Sequence, residues 1–278
     1  MGGGDVGNPR IAGVIAFLAL TAGAQGVLGS GGVPDGAALD GVPGASLPLN
    51  ATFRDETGAA VRLGDLVDRP LLVTFVSFSC SRQCPLVLGG LADALGRLPL
   101  RPGEDYSVAT ISIDEHDAPA DAAAAKRNYL AAVGRPFPAP AWRFLTGDRE
   151  TIRRATDAVG LRFQRDGEHL FHPEALVAVA PGGVVSSFLP VDLDQSGPRA
   201  RVSFPPAQLQ LALEDARRGR VVPGRPQSVL FCFPFERDPE RAFHRYLRVF
   251  GILNLIGVAA VAAWLLLAKR RPAPGKAG

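Results

Sequence analysis

The chain has 278 residues, of which 47% are hydrophobic and 21% are charged, a composition that excludes a disordered chain, a collagen-like repeat and a disulfide-stapled miniprotein. The formal net charge is +3, but residues 269–278 contain four basic side chains and no acidic one, so the rest of the chain sums to −1. Because a nucleic-acid-binding domain needs clustered basic residues on its folded part, we expect no nucleic acid among the partners.

The chain begins with a pattern typical of a secretory signal peptide. Arg10 precedes a short apolar run over 11–24, which ends in an Ala-Gly-Ala sequence that fits a cleavage site. We therefore predict a signal peptide over 1–24; an uncleaved N-terminal anchor is the alternative, and both would export the body of the chain. Residues 25–48 are rich in Gly, Pro, Ala and Ser without a period, which predicts a linker.

Strand and helix patterns alternate through the body of the chain. The apolar run at 71–78 is typical of a strand buried on both faces, and Pro85 begins the helix after it. The further predicted elements are strands at 106–113 and 142–145, helices at 119–133 and 149–159, a hairpin of strands at 175–180 and 184–189, and a closing helix at 206–218. We expect Asp148 to cap the third helix and Gly219 to end the last one. This order predicts an α/β fold, a thioredoxin-like domain over 49–225 with a mixed, mostly parallel central sheet and flanking helices.

A second apolar run lies near the C-terminus. Residues 249–268 contain no charge, and these 20 residues, at about 1.5 Å each, would span the roughly 30 Å core of a bilayer. We therefore predict a juxtamembrane segment at 226–248, a transmembrane helix at 249–268 and a basic cytoplasmic tail at 269–278. Together with the signal peptide, this predicts a single-pass protein of the cell membrane whose domain lies on the extracytoplasmic, periplasmic side.

Cys80 and Cys84 lie at the junction between the first buried strand and the first helix. Their i, i+4 spacing allows a helical turn to bring both sulfurs to one face, and a helix N-terminus stabilises thiolate over thiol. Two such thiolates can cycle between dithiol and disulfide as a redox-active pair, or bind a soft cation such as Cu(I). A pair of inert cysteines or one structural disulfide is the alternative. Cys232, the third cysteine, is interpreted as a buried juxtamembrane residue, with a redox partner or an auxiliary copper donor as alternatives.

A two-thiolate metal site usually needs a third donor, and the chain has four histidines: His116, His169, His172 and His244. His172 directly precedes the predicted hairpin, and in a thioredoxin-like sheet this loop lies at the same end as the cysteines. We therefore predict His172 as the third ligand, with His169 as the runner-up. His116 also lies at a sheet end, but a charged stretch comes directly after it.

These segments resemble the Sco/SenC family. The run LLVTFVSFSCSRQCPLVLGGL is similar to the family's metal-binding motif, a buried strand followed by Cys-x-x-x-Cys-Pro and a helix. Further parts of the family pattern match, in order, VATISIDEHDAPADAAAAKRNYL, WRFLTGDRETIRRATDAVGLRF and HLFHPEALVAVAPGGVVSSFL. The resemblance covers about 47–213, and FCFPFERDP, before the predicted membrane helix, resembles an ending seen in a C-terminally anchored branch of the family.

The resemblance implies a thioredoxin fold and copper bound by Cys80, Cys84 and His172, as Cu(I), with Cu(II) as an open alternative. It also implies a role in building the dinuclear copper (CuA) centre of cytochrome c oxidase. The implied partners are the copper-bearing subunit of that oxidase and a thioredoxin-like reductase or another copper chaperone. The chain departs from the family pattern after the second strand, where residues 114–119 form a shorter loop.

We therefore interpret the chain as a membrane-anchored, extracytoplasmic copper chaperone or thiol–disulfide protein, and not as an enzyme that turns over a small metabolite. Two alternatives stay open on the same fold. A thiol peroxidase or general disulfide oxidoreductase is disfavoured by the Cys spacing and by Ser77, which stands where peroxidase sites have Thr. A non-catalytic redox or copper sensor would use the same cysteines and signal through a partner.

Overall fold

The computed structural model describes residues 37–81, 83–167, 169–194 and 201–223, and, near the C-terminus, residues 251, 253–257, 260, 261 and 264. The chain divides into two compact units, residues 1–233 and 234–278, and the first unit holds the strands named below. The predicted signal peptide, juxtamembrane segment and basic tail, together with Cys232 and His244, lie outside the described residues.

A five-stranded mixed sheet forms the centre of the first unit. In spatial order its strands are β11 (Val185–Leu189), β10 (Leu176–Val179), β4 (Leu71–Val76), β5 (Ser107–Ser112) and β6 (Trp142–Leu145). The strands β4, β5 and β6 pair in parallel, whereas β10 pairs antiparallel with both β4 and β11. The sheet is thus less parallel than predicted, because a short turn over 181–183 returns β11 antiparallel to β10 and because β10 lies against β4 in the opposite direction.

Four α-helices of the described part of this unit pack on the two faces of the sheet: α1 (Cys84–Arg97), α2 (Pro119–Ala132), α3 (Arg149–Ala158) and α4 (Pro206–Arg217). Successive residues of β4 point to opposite faces, so Leu72 packs with residues of α1 and α4, and Val73 packs with residues of α3. Both predicted helix ends are confirmed. Asp148 Oδ1 accepts a 2.7 Å hydrogen bond from the Thr151 amide, and Gly219 takes a φ of +65° just past α4.

Short antiparallel pairs surround the central sheet. They are β2 (Thr52–Arg54) with β3 (Ala60–Arg62), β8 (Gln164–Asp166) with β9 (His169–Phe171), and β12 (Asp192–Asp194) with β13 (Arg201–Ser203). One-turn 3-10 helices cover Leu63–Leu66 and Ala139–Ala141. The β8–β9 pair was not predicted from the sequence, because its strands are only three residues long and mostly polar. This hairpin carries the chain directly to His172.

Part of the predicted linker packs on the domain. The strand β1 (Ala38–Leu39) pairs antiparallel with β7 (Leu161–Arg162), and Leu47 is buried. The two segments approach closely at two glycines, since a Cβ added to Gly160 would lie 2.4 Å from the nitrogen of Gly41. Composition alone did not indicate these contacts, because Gly and Pro mark loops whether or not the loop packs on a core.

The described residues of the second unit are helical. Their large apolar side chains, such as Leu255 and Trp264, are exposed. Among the residues that the structure describes, no helix combines the length and the apolar character needed to cross a membrane. The predicted transmembrane helix at 249–268 is described only in part and stays a prediction.

Candidate metal centre

The first half of the candidate centre is the loop from β4 to α1. Cys84 is the first residue of α1 and is buried, with 2% of its surface exposed, and Pro85 follows it in the first turn. Cys80 lies in the loop and is half-buried, and both side chains are thiols with no disulfide between them. Because a helix N-terminus presents unpaired N–H groups and partial positive charge, this position favours the thiolate of Cys84.

A buried carboxylate fixes the loop that carries Cys80. Asp117 accepts hydrogen bonds from the amides of Phe78 (2.7 Å) and Ser79 (3.2 Å) and from the hydroxyl of Ser112 (2.6 Å). Burial raises the pKa of Asp117 above its ordinary value, although these hydrogen bonds act in the opposite direction. The short loop at 114–119, which departs from the family pattern in sequence, therefore positions the thiol loop.

His172 forms the second half of the centre, in the segment between β9 and β10. The side chain is 1% exposed, and its Nε2 lies 3.9 Å from Sγ of Cys84. Its Nδ1 lies 3.2 Å from the carbonyl oxygen of Pro173. A tautomer protonated at Nδ1 donates to that carbonyl and leaves the lone pair of Nε2 facing the sulfur, which is the form in which histidine binds a metal.

Glu174 completes the cluster, although it was not predicted from the sequence. Its Oε1 lies 3.8 Å from Nε2 of His172, and its side chain is fully buried. The sulfur of Cys84, a ring nitrogen of His172 and a carboxylate oxygen of Glu174 all lie within 4.8 Å of one another. The signal in the sequence was the i, i+2 spacing of Glu174 from the predicted ligand, because alternate side chains of an extended segment point to the same side.

Cys80 lies outside this three-residue group but beside it. Both cysteines line a pocket of about 360 Å³ between α1 and α2. Tyr129 of α2 also lines it, and burial together with the negative charge of Cys84 and Cys80 raises the pKa of this phenol to about 12. The pocket gives the thiols access to solvent next to a hydroxyl that stays protonated at neutral pH.

The other candidate histidines are placed differently. His116 is exposed, and its Nδ1 lies 3.0 Å from Oδ1 of Asp114, which also accepts from Arg165 of β8. Burial opposes ionisation of Asp114, but the hydrogen bonds from His116 and Arg165 outweigh it and hold the pKa of Asp114 below its usual value. The backbone of His169 begins β9. The structure thus brings Cys84 and His172 together and pairs His116 with a carboxylate.

Comparisons with known proteins agree on a family. A model of the SCO1/SenC family matches residues 48–201, which is more than half of the chain. The comparison with curated proteins gave no match.

Three solved structures illustrate the likeness in fold. A candidate electron transfer protein from Aquifex aeolicus VF5 has a TM-score of 0.53 at 23% identity, over 64% of this chain and 95% of that one. A candidate electron transport protein from the same organism has a TM-score of 0.50 at 21% identity, over 63% and 99%. The ScoI protein of Arabidopsis thaliana with copper bound has a TM-score of 0.47 at 17% identity, over 66% and 99%.

Proposed function

The chain belongs to the SCO1/SenC family, and we propose that it is a copper chaperone and thiol–disulfide protein that assists assembly of the CuA centre of cytochrome c oxidase. One observation carries the proposal. The buried Nε2 of His172 lies 3.9 Å from the sulfur of Cys84 at a helix N-terminus, in a domain whose remaining cysteine ligand candidate lines the adjoining pocket.

We assign Cys80, Cys84 and His172 as the ligands of the copper cargo. Thiolate sulfur and imidazole nitrogen are the donors that Cu(I) prefers. Each residue has a separate task. Cys84 supplies a thiolate stabilised by the start of α1, His172 supplies a neutral nitrogen, and Cys80 supplies the thiol that reaches solvent through the pocket.

The same two sulfurs support thiol–disulfide exchange. An incoming thiolate or disulfide reaches the half-buried Cys80 first, and the buried Cys84 then resolves the mixed disulfide by attacking the sulfur of Cys80. Closing Cys80–Cys84 releases the partner as a thiol, and two electrons and two protons leave the pair in total. We propose a thioredoxin-like reductase, or another copper chaperone, as the upstream partner and the copper-bearing subunit of the oxidase as the downstream one.

We also propose that the domain lies outside the cytoplasm, held by a single C-terminal membrane helix over 249–268. The signal-peptide pattern at 1–24 and the uncharged apolar run support this placement. A reporter that works only in the periplasm should be active when fused after Gly224 and silent when fused after Lys276. The opposite result would show that the topology is inverted.

Copper retention by the full-length reduced protein tests the ligand assignment. We expect about one Cu(I) per chain in the wild type, and loss of retention in Cys80→Ser, Cys84→Ser and His172→Ala. His116→Ala is the matched control, because His116 contacts Asp114 and not the thiols, and it should retain copper as the wild type does. Normal retention by His172→Ala, with loss in His169→Ala, would move the third ligand to His169. Peroxide turnover without copper retention would favour the peroxidase alternative.

A further inference from the structure

We propose that Glu174 is a fourth donor of the metal centre, and that its carboxylate makes the centre hold Cu(II) as well as Cu(I). The inference rests on the proposed function, since it adds one ligand to the set of Cys80, Cys84 and His172. The arrangement that carries it is a buried sulfur, a buried imidazole nitrogen and a buried carboxylate oxygen within 4.8 Å of one another.

The spacing of these atoms suits a shared ion. Nε2 of His172 lies 3.9 Å from Sγ of Cys84 and 3.8 Å from Oε1 of Glu174. Two donor atoms bound to one ion at about 2.0–2.3 Å are about 3.5–4.0 Å apart when the angle between the bonds is near 120°. The nitrogen of His172 therefore has the separation of a co-ligand from both of its neighbours.

The chain holds the two side chains of this segment on one side. His172 and Glu174 alternate along the segment that leads into β10, so both reach toward the start of α1. Pro173 between them has a fixed φ, which reduces the freedom of the backbone that separates the two donors.

The burial of Glu174 also points to a metal. Residues 175–180 are apolar and buried, and Glu174 begins this run with a carboxylate that is 1% exposed. A carboxylate is expensive to bury unless it is paired or bound to a metal. Its side chain faces the predicted ligand His172, so the charge lies where a cation would bind.

A carboxylate donor changes which oxidation state the centre favours. Thiolate and imidazole suit the soft ion Cu(I), whereas carboxylate oxygen is a hard donor that suits divalent ions. An additional anionic donor in a buried centre also interacts more strongly with Cu(II), which carries one more positive charge than Cu(I). Glu174 therefore strengthens the binding of Cu(II) more than that of Cu(I).

The test compares both ions in Glu174→Gln, which keeps the shape of the side chain and removes its charge. Reduced full-length protein receives one equivalent of Cu(II), and affinity is measured by competition with an aminocarboxylate chelator while the EPR spectrum is recorded. Cu(I) affinity is measured anaerobically by competition with a Cu(I)-specific chelator. Asp215→Asn is the matched control, because Asp215 is a buried carboxylate of α4 that pairs with Arg220 outside the cluster.

We expect Glu174→Gln to lower the Cu(II) affinity by at least about tenfold and to change the Cu(II) EPR parameters, with Cu(I) affinity within about threefold of the wild type. Asp215→Asn should match the wild type in all three measurements. An unchanged Cu(II) spectrum and affinity in Glu174→Gln overturns the proposal. Equal losses for both ions also overturn it, because they show that Glu174 acts by positioning His172.

Two further outcomes keep the test decisive. Should Glu174→Gln fail to fold, as judged by circular dichroism, Glu174→Asp replaces it and is expected to bind Cu(II) at a strength between those of the wild type and the Cys80→Ser variant; wild-type affinity there would contradict the ligand role. A wild type that retains neither ion overturns the proposed function itself. A wild type that retains Cu(I), with Glu174→Gln indistinguishable from it for Cu(II), overturns only the role of Glu174.

Discussion

The two sides of the metal centre are held in different ways. The thiol side, residues 77–84, combines a loop fixed by hydrogen bonds to Asp117 with the first turn of α1, and it opens into a pocket. The histidine side, residues 172–174, lies between two hairpins with both of its donor side chains buried. The difference assigns exchange with partners to the thiol side and fixed coordination to the histidine side.

Oxidation acts on the thiol side alone and should have the largest effect. The sulfurs of Cys80 and Cys84 cannot bind Cu(I) as thiolates while they are joined in a disulfide, so oxidised protein should lose copper binding almost completely. Copper content after oxidation, and again after addition of a dithiol reductant, measures the loss and its recovery. Bound Cu(I) should also protect both thiols from alkylation. Equal copper retention by oxidised and reduced protein would mean that the two cysteines are not the ligands.

Two adjacent glycines test how α1 holds the thiol side. A Cβ on Gly90 would lie 2.2 Å from the carbonyl oxygen of Val202 in β13, so Gly90→Ala must displace the helix and should lower the free energy of unfolding by about 3 kcal/mol. Gly89 has no atom within 4 Å of its would-be Cβ, and Gly89→Ala should instead raise the stability by about 0.5–1 kcal/mol. Urea unfolding of both variants gives the comparison, and equal effects would contradict the packing of α1 on β13.

Removing the anchor of the thiol loop should have a smaller effect. Asp117→Asn replaces an acceptor oxygen with a donor and leaves an amide of the loop unsatisfied, which should destabilise the domain by about 2 kcal/mol. The alkylation rate of Cys80 should rise, because the loop is less fixed, while that of Cys84 should change less. Urea unfolding and mass-resolved alkylation measure the two effects. A uniform rise at both cysteines would show global loosening.

The smallest effect concerns the link to the histidine side. Asp114 pairs with Arg165 of β8, and its pKa is lowered in the folded protein, so the stabilisation is present above the ordinary pKa near 3.8 and is lost as the pH falls through the lower folded value. Asp114→Asn should therefore destabilise the domain by about 1 kcal/mol at pH 7, and the difference should shrink below pH 3.8. Unfolding at both pH values measures this. Glu115→Gln is the control, since its pair with Arg149 is more exposed and should contribute less.

The thiol side was largely predictable from the sequence because its signals are local. A continuous apolar run predicted β4, Pro85 predicted the start of α1, and the spacing of the cysteines predicted their position at the helix start. Asp117 was the exception. Its contacts with Phe78 and Ser79 join residues 38 and 39 positions apart, and no local pattern encodes such a pairing.

The histidine side was predictable only in part. His172 was expected at the cysteine end of the sheet, and the structure places it within 3.9 Å of Cys84. The β8–β9 hairpin that delivers it was not expected, because three-residue polar strands carry no hydrophobic period. Glu174 was passed over because its neighbours resemble the beginning of an apolar strand, in which a charged residue is usually assigned to the solvent side.

The sequence by itself determined the alternation of strands and helices, the ends of α3 and α4, and the candidate residues Cys80, Cys84 and His172, because apolar periodicity, capping and motif spacing act over a few residues. Only the tertiary structure decided the antiparallel place of β10 beside β4, the packing of residues 37–48, and the meeting of Cys84, His172 and Glu174. Cys84 and His172 are 88 residues apart, and burial of both faces of β4 brings their segments to one point.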